Sequence, residues 1–142
     1  MGYDRSHRAA PTPVVVEVSE TSGSARPAGL PTLAEFAPEH RFVLRTGRNE
    51  FSLPAGRYHV QLWSQYAFWR VGKATIDIDT THGPVLFHYA VPYTLYHRGA
   101  AGFEPQQRQG KSADTVMKVV AVTCGSLAVL MVLFAVVLAF LQ

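Results

Sequence analysis

Apolar and polar positions alternate in short runs through the middle of the chain. In RFVLRT (41–46), Phe42 and Leu44 fall on one side and Arg41, Val43 and Arg45 on the other. EFSL (50–53) puts Phe51 and Leu53 together. RYHVQLW (57–63) sets Tyr58, Val60 and Leu62 against His59, Gln61 and Trp63. KATIDID (73–79) places Ala74, Ile76 and Ile78 opposite Thr75, Asp77 and Asp79. GPVLFHYAVP (83–92) sets Val85, Phe87 and Tyr89 against Leu86, His88 and Ala90. A period of two with one apolar face predicts antiparallel strands over a single core. Pro54-Ala55-Gly56 reads as a turn, with Pro54 fixing φ and Gly56 free to take a positive φ. Thr80 to Gly83 supplies another turn. The pattern predicts a mainly β unit over 41–94, a small antiparallel β-sandwich or half-barrel. A unit of about 55 residues is near the lower limit for a self-sufficient core. Support is expected from an N-terminal strand, a partner or a membrane.

A different pattern closes the chain. From Val119 to Leu141 no residue is charged. As a helix this run would be about 34 Å long, enough to cross a hydrocarbon core of about 30 Å. The remaining chain is too small to enclose a helix that is apolar all round. The sequence therefore predicts a transmembrane helix over 116–141, preceded by a juxtamembrane linker over 95–115. Stretched from Gly102 to Ser112, that linker reaches at most about 35 Å. MGYDRSHRAAPTPVVVEV has no apolar stretch of secretory-signal length, and only Gln142 follows the span. The expectation is a tail anchor. Arg108, Lys111 and Lys118 lie just before the apolar run, and positive flanks stay on the cytoplasmic side. The domain is expected at the cytoplasmic face of the cell membrane, with the C-terminus across it.

The first 40 residues fit neither pattern. They hold Pro11, Pro13, Pro27, Pro31 and Pro38 around SETSGSARPAG. Such polar sequence buries too little apolar area to offset its ordering entropy. It reads as a largely disordered segment, with one strand over 14–18 where Val14, Val16 and Val18 alternate.

Charge follows the same division. Residues 1–40 carry five acidic and three basic side chains; residues 41–112 carry four acidic and nine basic. The net charge of +3 thus resides in the β unit and the membrane flank. A domain leashed to a bilayer meets anionic headgroups before any nucleic acid. The lipid bilayer is the expected partner and nucleic acid is not. Arg41, Arg45 and Arg57 are expected to form an outer basic stripe.

LPAGRYHVQLW resembles the hairpin of small β-domains of the PEGA and prealbumin-like kind, through Leu53, Pro54, Gly56, Tyr58 and Val60. The longer run from Gly56 to Phe103 is similar to a group of uncharacterised actinobacterial single-pass membrane proteins. They share a Gly-Arg hairpin, an aromatic loop and a Tyr/Trp-plus-Gly tail. The resemblance implies fold and location, and no activity.

Catalytic chemistry finds little to stand on. There is no Gly-x-Ser-x-Gly elbow, phosphate-binding glycine loop or His-Glu-x-x-His. The one cysteine, Cys124, sits in the apolar run, which excludes an intramolecular disulfide. Six histidines show no metal-ligand spacing, though His59 and His88 could share the outer face of neighbouring strands. Asp77, Asp79 and Thr81 imitate the start of a calcium loop, but His82 and His88 stand where glycine and glutamate belong. The chain reads as a non-enzyme without cofactor or metal.

Two features remain as candidate interaction surfaces. WSQYAFWR gathers Trp63, Tyr66, Phe68, Trp69 and Arg70 in what the pattern makes a connection longer than a tight hairpin. Not all its rings fit a small core. It can pack on the core, face a partner or face lipid. In the span, Ala121, Cys124, Gly125 and Ala128 form small-xxx-small pairs that let a second helix approach. Ala135 and Ala139 form another. Homo- or hetero-oligomers through this helix are expected. The overall expectation is a binding or scaffolding protein at the membrane; alternatives are an accessory subunit of a larger membrane complex and, last, an enzyme with an unrecognised site.

Overall fold

A computed structural model of the chain describes residues 11–19, 26–27 and 29–141. Among them are eight strands and one helix: β1 (Thr12–Ser19), β2 (Thr32–Ala37), β3 (His40–Leu44), β4 (Gly47–Leu53), β5 (Arg57–Tyr66), β6 (Trp69–Asp79), β7 (Val85–Ala90), β8 (Ala100–Gly102) and α1 (Lys111–Phe140). The strands form two four-stranded sheets. One runs β4-β1-β7-β8, the other β3-β2-β5-β6. The chain is mainly β, a β-sandwich with one long C-terminal helix. One pair departs from the antiparallel expectation: β1 runs parallel to β7.

The alternation works as read. Phe42, Leu44, Leu53, Val60, Leu62, Ile78, Phe87 and Tyr89 all belong to the packed interior. At one end Phe36 meets Phe42, Phe51, Tyr58 and Phe87 at centroid distances of 5.8–6.3 Å. Phe42 and Phe51 stack at 4.4 Å. Ring pairs at such spacings add favourable edge and offset contacts to the area they bury.

The unit is larger than the 41–94 expected. It begins at β1, whose Val14, Val16 and Val18 are buried at the centre of a sheet, between β4 and β7. β2 also lies within the first 40 residues, as the central partner of β3 and β5. Its inward positions are Thr32, Ala34 and Phe36, two of them small, between Pro31 and Pro38. Small inward residues and flanking prolines mute the alternation without preventing the ladder. The expected disorder of residues 1–10 and 20–25 lies outside the described residues.

At the other boundary, residues 95–115 are not a free linker. β8 pairs with β7, and Tyr93 N–H donates to Gln109 O at 2.9 Å. α1 begins at Lys111 rather than near 116. Asp114 in its first turn suits the positive helix terminus and pairs with Lys118 Nζ at 2.7 Å, one turn on. The helix is long and apolar enough to cross a membrane.

Candidate functional site

The strand directions sort the turns into two ends of the sandwich. Thr32 stands opposite Ser64 and Leu44, and Val18 stands opposite Gly47 and Tyr89. The β3–β4 turn, the β5–β6 hairpin, the end of β7 and the start of α1 therefore share one end, here the helix end. The β4–β5 turn, with Pro54 and Gly56, and the β6–β7 turn share the far end.

At the helix end the WSQYAFWR stretch is a tight hairpin, not a long connection. Tyr66 pairs with Trp69, leaving Ala67 and Phe68 as the two-residue turn. Ala67 takes φ 49°, a left-handed value usually left to glycine at the first central position of such turns. Gln65 Nε2 donates to Ala67 O at 2.7 Å and holds the turn closed. The sequence signal was hidden twice. Ala67 is no habitual turn former, and a bulge that sets both Gly72 and Lys73 opposite Trp63 offsets the alternation of β6 near the tip.

The hairpin separates the two tryptophans. Trp63 is buried, 2% exposed. The Arg70 guanidinium lies 4.2 Å and that of Arg41 5.5 Å from its ring centroid. These are cation–π contacts on the outer side of the sheet. The Trp63 indole N–H finds no acceptor among the described residues. Tyr66 is half-buried. Phe68 is 97% and Trp69 70% exposed, at the hairpin tip. The five candidate residues thus divide: Trp63 and Arg70 brace each other, and Phe68 and Trp69 touch almost nothing.

Behind the tip lies a crowded junction. Tyr89, fully buried, donates its hydroxyl to Gly72 O at 2.6 Å. A Cβ on Gly99 would sit 2.5 Å from that same carbonyl oxygen. Gly110, at the helix cap, abuts the His97 ring, and His97 Nδ1 shares a hydrogen bond of 2.7 Å with Thr94 Oγ1. Arg108 lies 3.9 Å over the Tyr93 ring and donates from Nε to Val91 O at 2.6 Å. These contacts clamp the root of α1 to the sandwich. No motif announces them, since they join glycines and carbonyls far apart in sequence.

The far end is closed differently. Thr80 N–H donates to Gly56 O at 2.8 Å, Gly56 N–H to Thr80 Oγ1 at 3.0 Å, and the Tyr58 hydroxyl to Pro54 O at 2.6 Å. Pro54 and Gly56 do define a turn, but Gly56 is not among the glycines with positive φ. Its pinning comes from Thr80. Asp79 accepts bonds from the Thr81 hydroxyl and backbone N–H and pairs with Arg57. The Thr81 bonds, led by the hydroxyl, and then Arg57 lower its pKa from 3.8 to about 2. Asp77 bonds His59 at 2.6 Å. The carboxylates that imitate a calcium loop are thus engaged locally.

Other expected groupings do not assemble. His59 is on β5 and His88 on β7, in opposite sheets. Among the described residues no three His, Cys, Asp or Glu side chains come together as a metal site. Arg41 pairs with Glu35 and Arg57 with Asp79, while Arg45 lies at the opposite end from Arg57, so no basic stripe forms. In α1, Ala121, Cys124, Gly125 and Ala128 share one exposed face, and a Cβ on Gly125 would meet nothing.

Comparison with protein-family models, curated proteins and solved structures finds no match to the chain.

Proposed function

We propose that this chain is a single-pass membrane protein whose β-sandwich is a binding or scaffolding module, fixed at the cytoplasmic face of the cell membrane. The observation that carries this reading is the clamp at the root of α1. Tyr93, Gln109, Arg108, His97 and Gly110 tie the sandwich to the residues that open a helix without a charged side chain from Val119 onward. A module on a free leash samples every orientation. One clamped to its span presents a fixed surface at a fixed height, which is what a scaffold needs. Arg108, Lys111 and Lys118 at the head of the span support the cytoplasmic placement.

The test begins with a Cys124→Ala background carrying Ser52→Cys at the exposed far end. Alkaline carbonate should leave the protein in the membrane. An impermeant maleimide should label it in inverted vesicles and not in intact cells; labelling from outside would refute the orientation. For the scaffolding role, detergent-solubilised chain is used to capture partners, beside a variant with a flexible Gly-Ser insertion after Gln109. A partner lost on insertion supports the fixed mount. A monomer without partners in detergent and in native membranes overturns it.

A second reading, an accessory subunit held through its span, is favoured by the open face at Gly125. Close helix contact there predicts that Gly125→Leu dissolves the complex. Unchanged assembly would sink that reading.

A further inference from the structure

The exposed aromatic tip and the apolar helix grow from the same junction. Gly72, three residues from Trp69, is packed against Gly99, and Gly110, which caps α1, is packed against His97. The hairpin runs from Gly72 to Phe68, about 13 Å at some 3.3 Å per strand residue. The helix runs from Gly110 to Lys118, its last charge before the apolar run, about 12 Å at 1.5 Å per residue. None of the helix residues beyond Asp114 is buried, so α1 leaves the sandwich at this end, as the hairpin does. The two projections are matched in length.

We infer that the Ala67–Phe68 hairpin seats Phe68 and Trp69 in the headgroup–acyl boundary of the bilayer that α1 crosses. This rests on reading α1 as a span. Three observations carry it beyond that reading. The hairpin tip and Lys118, where the chain itself changes from charged to apolar, lie at similar chain lengths from one junction. The exposed side chains are aromatic, and Tyr96, in the segment between Pro92 and Gly99, is a further ring left 86% exposed at this end. Tryptophan and tyrosine favour such boundaries, where an apolar ring and a polar edge are both satisfied. Finally, Arg45, Arg70, Lys73 and Arg98 lie at this end with no ion pair among the described residues. Cations without carboxylates suit a surface of lipid phosphates. The bilayer is the occupant these features share, and it is delivered by the chain's own helix. The tip then acts as a second foothold. With the span as the first, it stops the sandwich from rotating about the helix axis.

The chain has two tryptophans, and their contrast gives the experiment. Full-length protein and W69F are reconstituted into phosphatidylcholine–phosphatidylglycerol vesicles, with and without bromines near the carbonyl end of the acyl chains. The difference between the two proteins is the Trp69 signal; Trp63, buried, serves as the internal reference. Trp69 emission is expected to shift to the blue on reconstitution. It should lose most of its intensity to the brominated lipid and be shielded from aqueous iodide. Trp69 that iodide quenches and bromolipid does not is in water, and the inference fails. Trp69 shielded from both is covered by protein, and the inference fails equally. Vesicle flotation separates the underlying reading. Protein that does not float has no span, whereas protein that floats with Trp69 in water has a span but no second foothold.

Discussion

The two ends of the sandwich are built from similar residues put to opposite use. At the far end the rings turn inward: Phe36, Phe42, Phe51 and Tyr58 pack on one another. The charges there are paired, Arg57 with Asp79 and Asp77 with His59. At the helix end Phe68, Trp69 and Tyr96 stand in the open, and four cations form no ion pair among the described residues. A chain that buries four rings at one end is not short of means to bury three at the other. Scattered apolar residues on a surface need no explanation, but aromatic residues gathered beside the root of an apolar helix do. The difference teaches that the far end is finished by its own side chains. The helix end leaves its rings exposed, which is what the proposed contact with the bilayer would cover.

The largest expected effect lies inside the opening stretch of that comparison. Trp63→Ala should cost about 3–5 kcal/mol, the range for emptying a buried tryptophan site. It removes the ring that Arg70 and Arg41 cover. Trp63→Phe should cost much less, because the indole N–H it deletes has no acceptor among the described residues to lose. Urea unfolding of the chain in micelles checks both. Equal costs would mean that the indole N–H is satisfied after all.

The junction behind the tip comes next. Gly99→Ala should destabilise by about 1–3 kcal/mol, since its Cβ would be pushed against backbone that a flexible side chain cannot relieve. Tyr89→Phe should cost about 1 kcal/mol, the hydrogen bond to Gly72 O. The decisive readout is thermal unfolding alongside protease sensitivity of residues 103–110. If Gly99→Ala leaves the melting temperature unchanged while α1 stays docked, the clamp is looser than described.

Much of this architecture was legible from alternation alone. Where inward residues were large, as at Phe42, Leu44, Val60, Leu62 and Phe87, the burial pattern could be read directly. Where they were small, as at Thr32 and Ala34, β2 went unseen. Period-two patterning reports which side a residue faces, not which strand it pairs with. It therefore gave no hint that β1 would enter a sheet's centre and run parallel to β7. The aromatic tip was visible as composition but mistaken in shape, since the register shift at Trp63 and the left-handed Ala67 both depend on neighbouring strands. The clamp was not legible at all. It is made of backbone carbonyls and glycines brought together only by the fold.

A smaller effect probes the far end by pH. The pKa of Asp79 is held near 2, below its ordinary 3.8, chiefly by Thr81 and then by Arg57. A depressed carboxyl favours the fold above its unfolded pKa and gives up that preference as pH falls through the folded one. Stability of the wild type should therefore decline between about pH 4 and pH 2. Asp79→Asn should flatten part of that decline, and Thr81→Val should remove the largest single contribution to the shift, the Thr81 hydroxyl. Carboxyl titration followed by NMR checks the order; an Asp79 pKa that Thr81→Val leaves in place would reverse the ranking of Thr81 and Arg57.

The smallest expected change in stability is the one that decides the comparison. Phe68 and Trp69 make few contacts in the folded chain, so Trp69→Ala should alter unfolding by no more than about 0.5 kcal/mol, as for other exposed sites. Placed beside Trp63→Ala, this divides one short stretch into a ring that holds the fold and a ring that the fold holds out. If Trp69→Ala destabilises the isolated chain as Trp63→Ala does, the tip is core and the two ends differ only in degree. If it leaves the fold intact in micelles yet frees the sandwich to tumble in vesicles, seen as a fall in the fluorescence anisotropy of a probe at Ser52→Cys in the Cys124→Ala background, the helix end is an interface by construction. An unchanged anisotropy with an intact fold would leave the span and its clamp as the domain's whole attachment, and the exposed rings without a part in it.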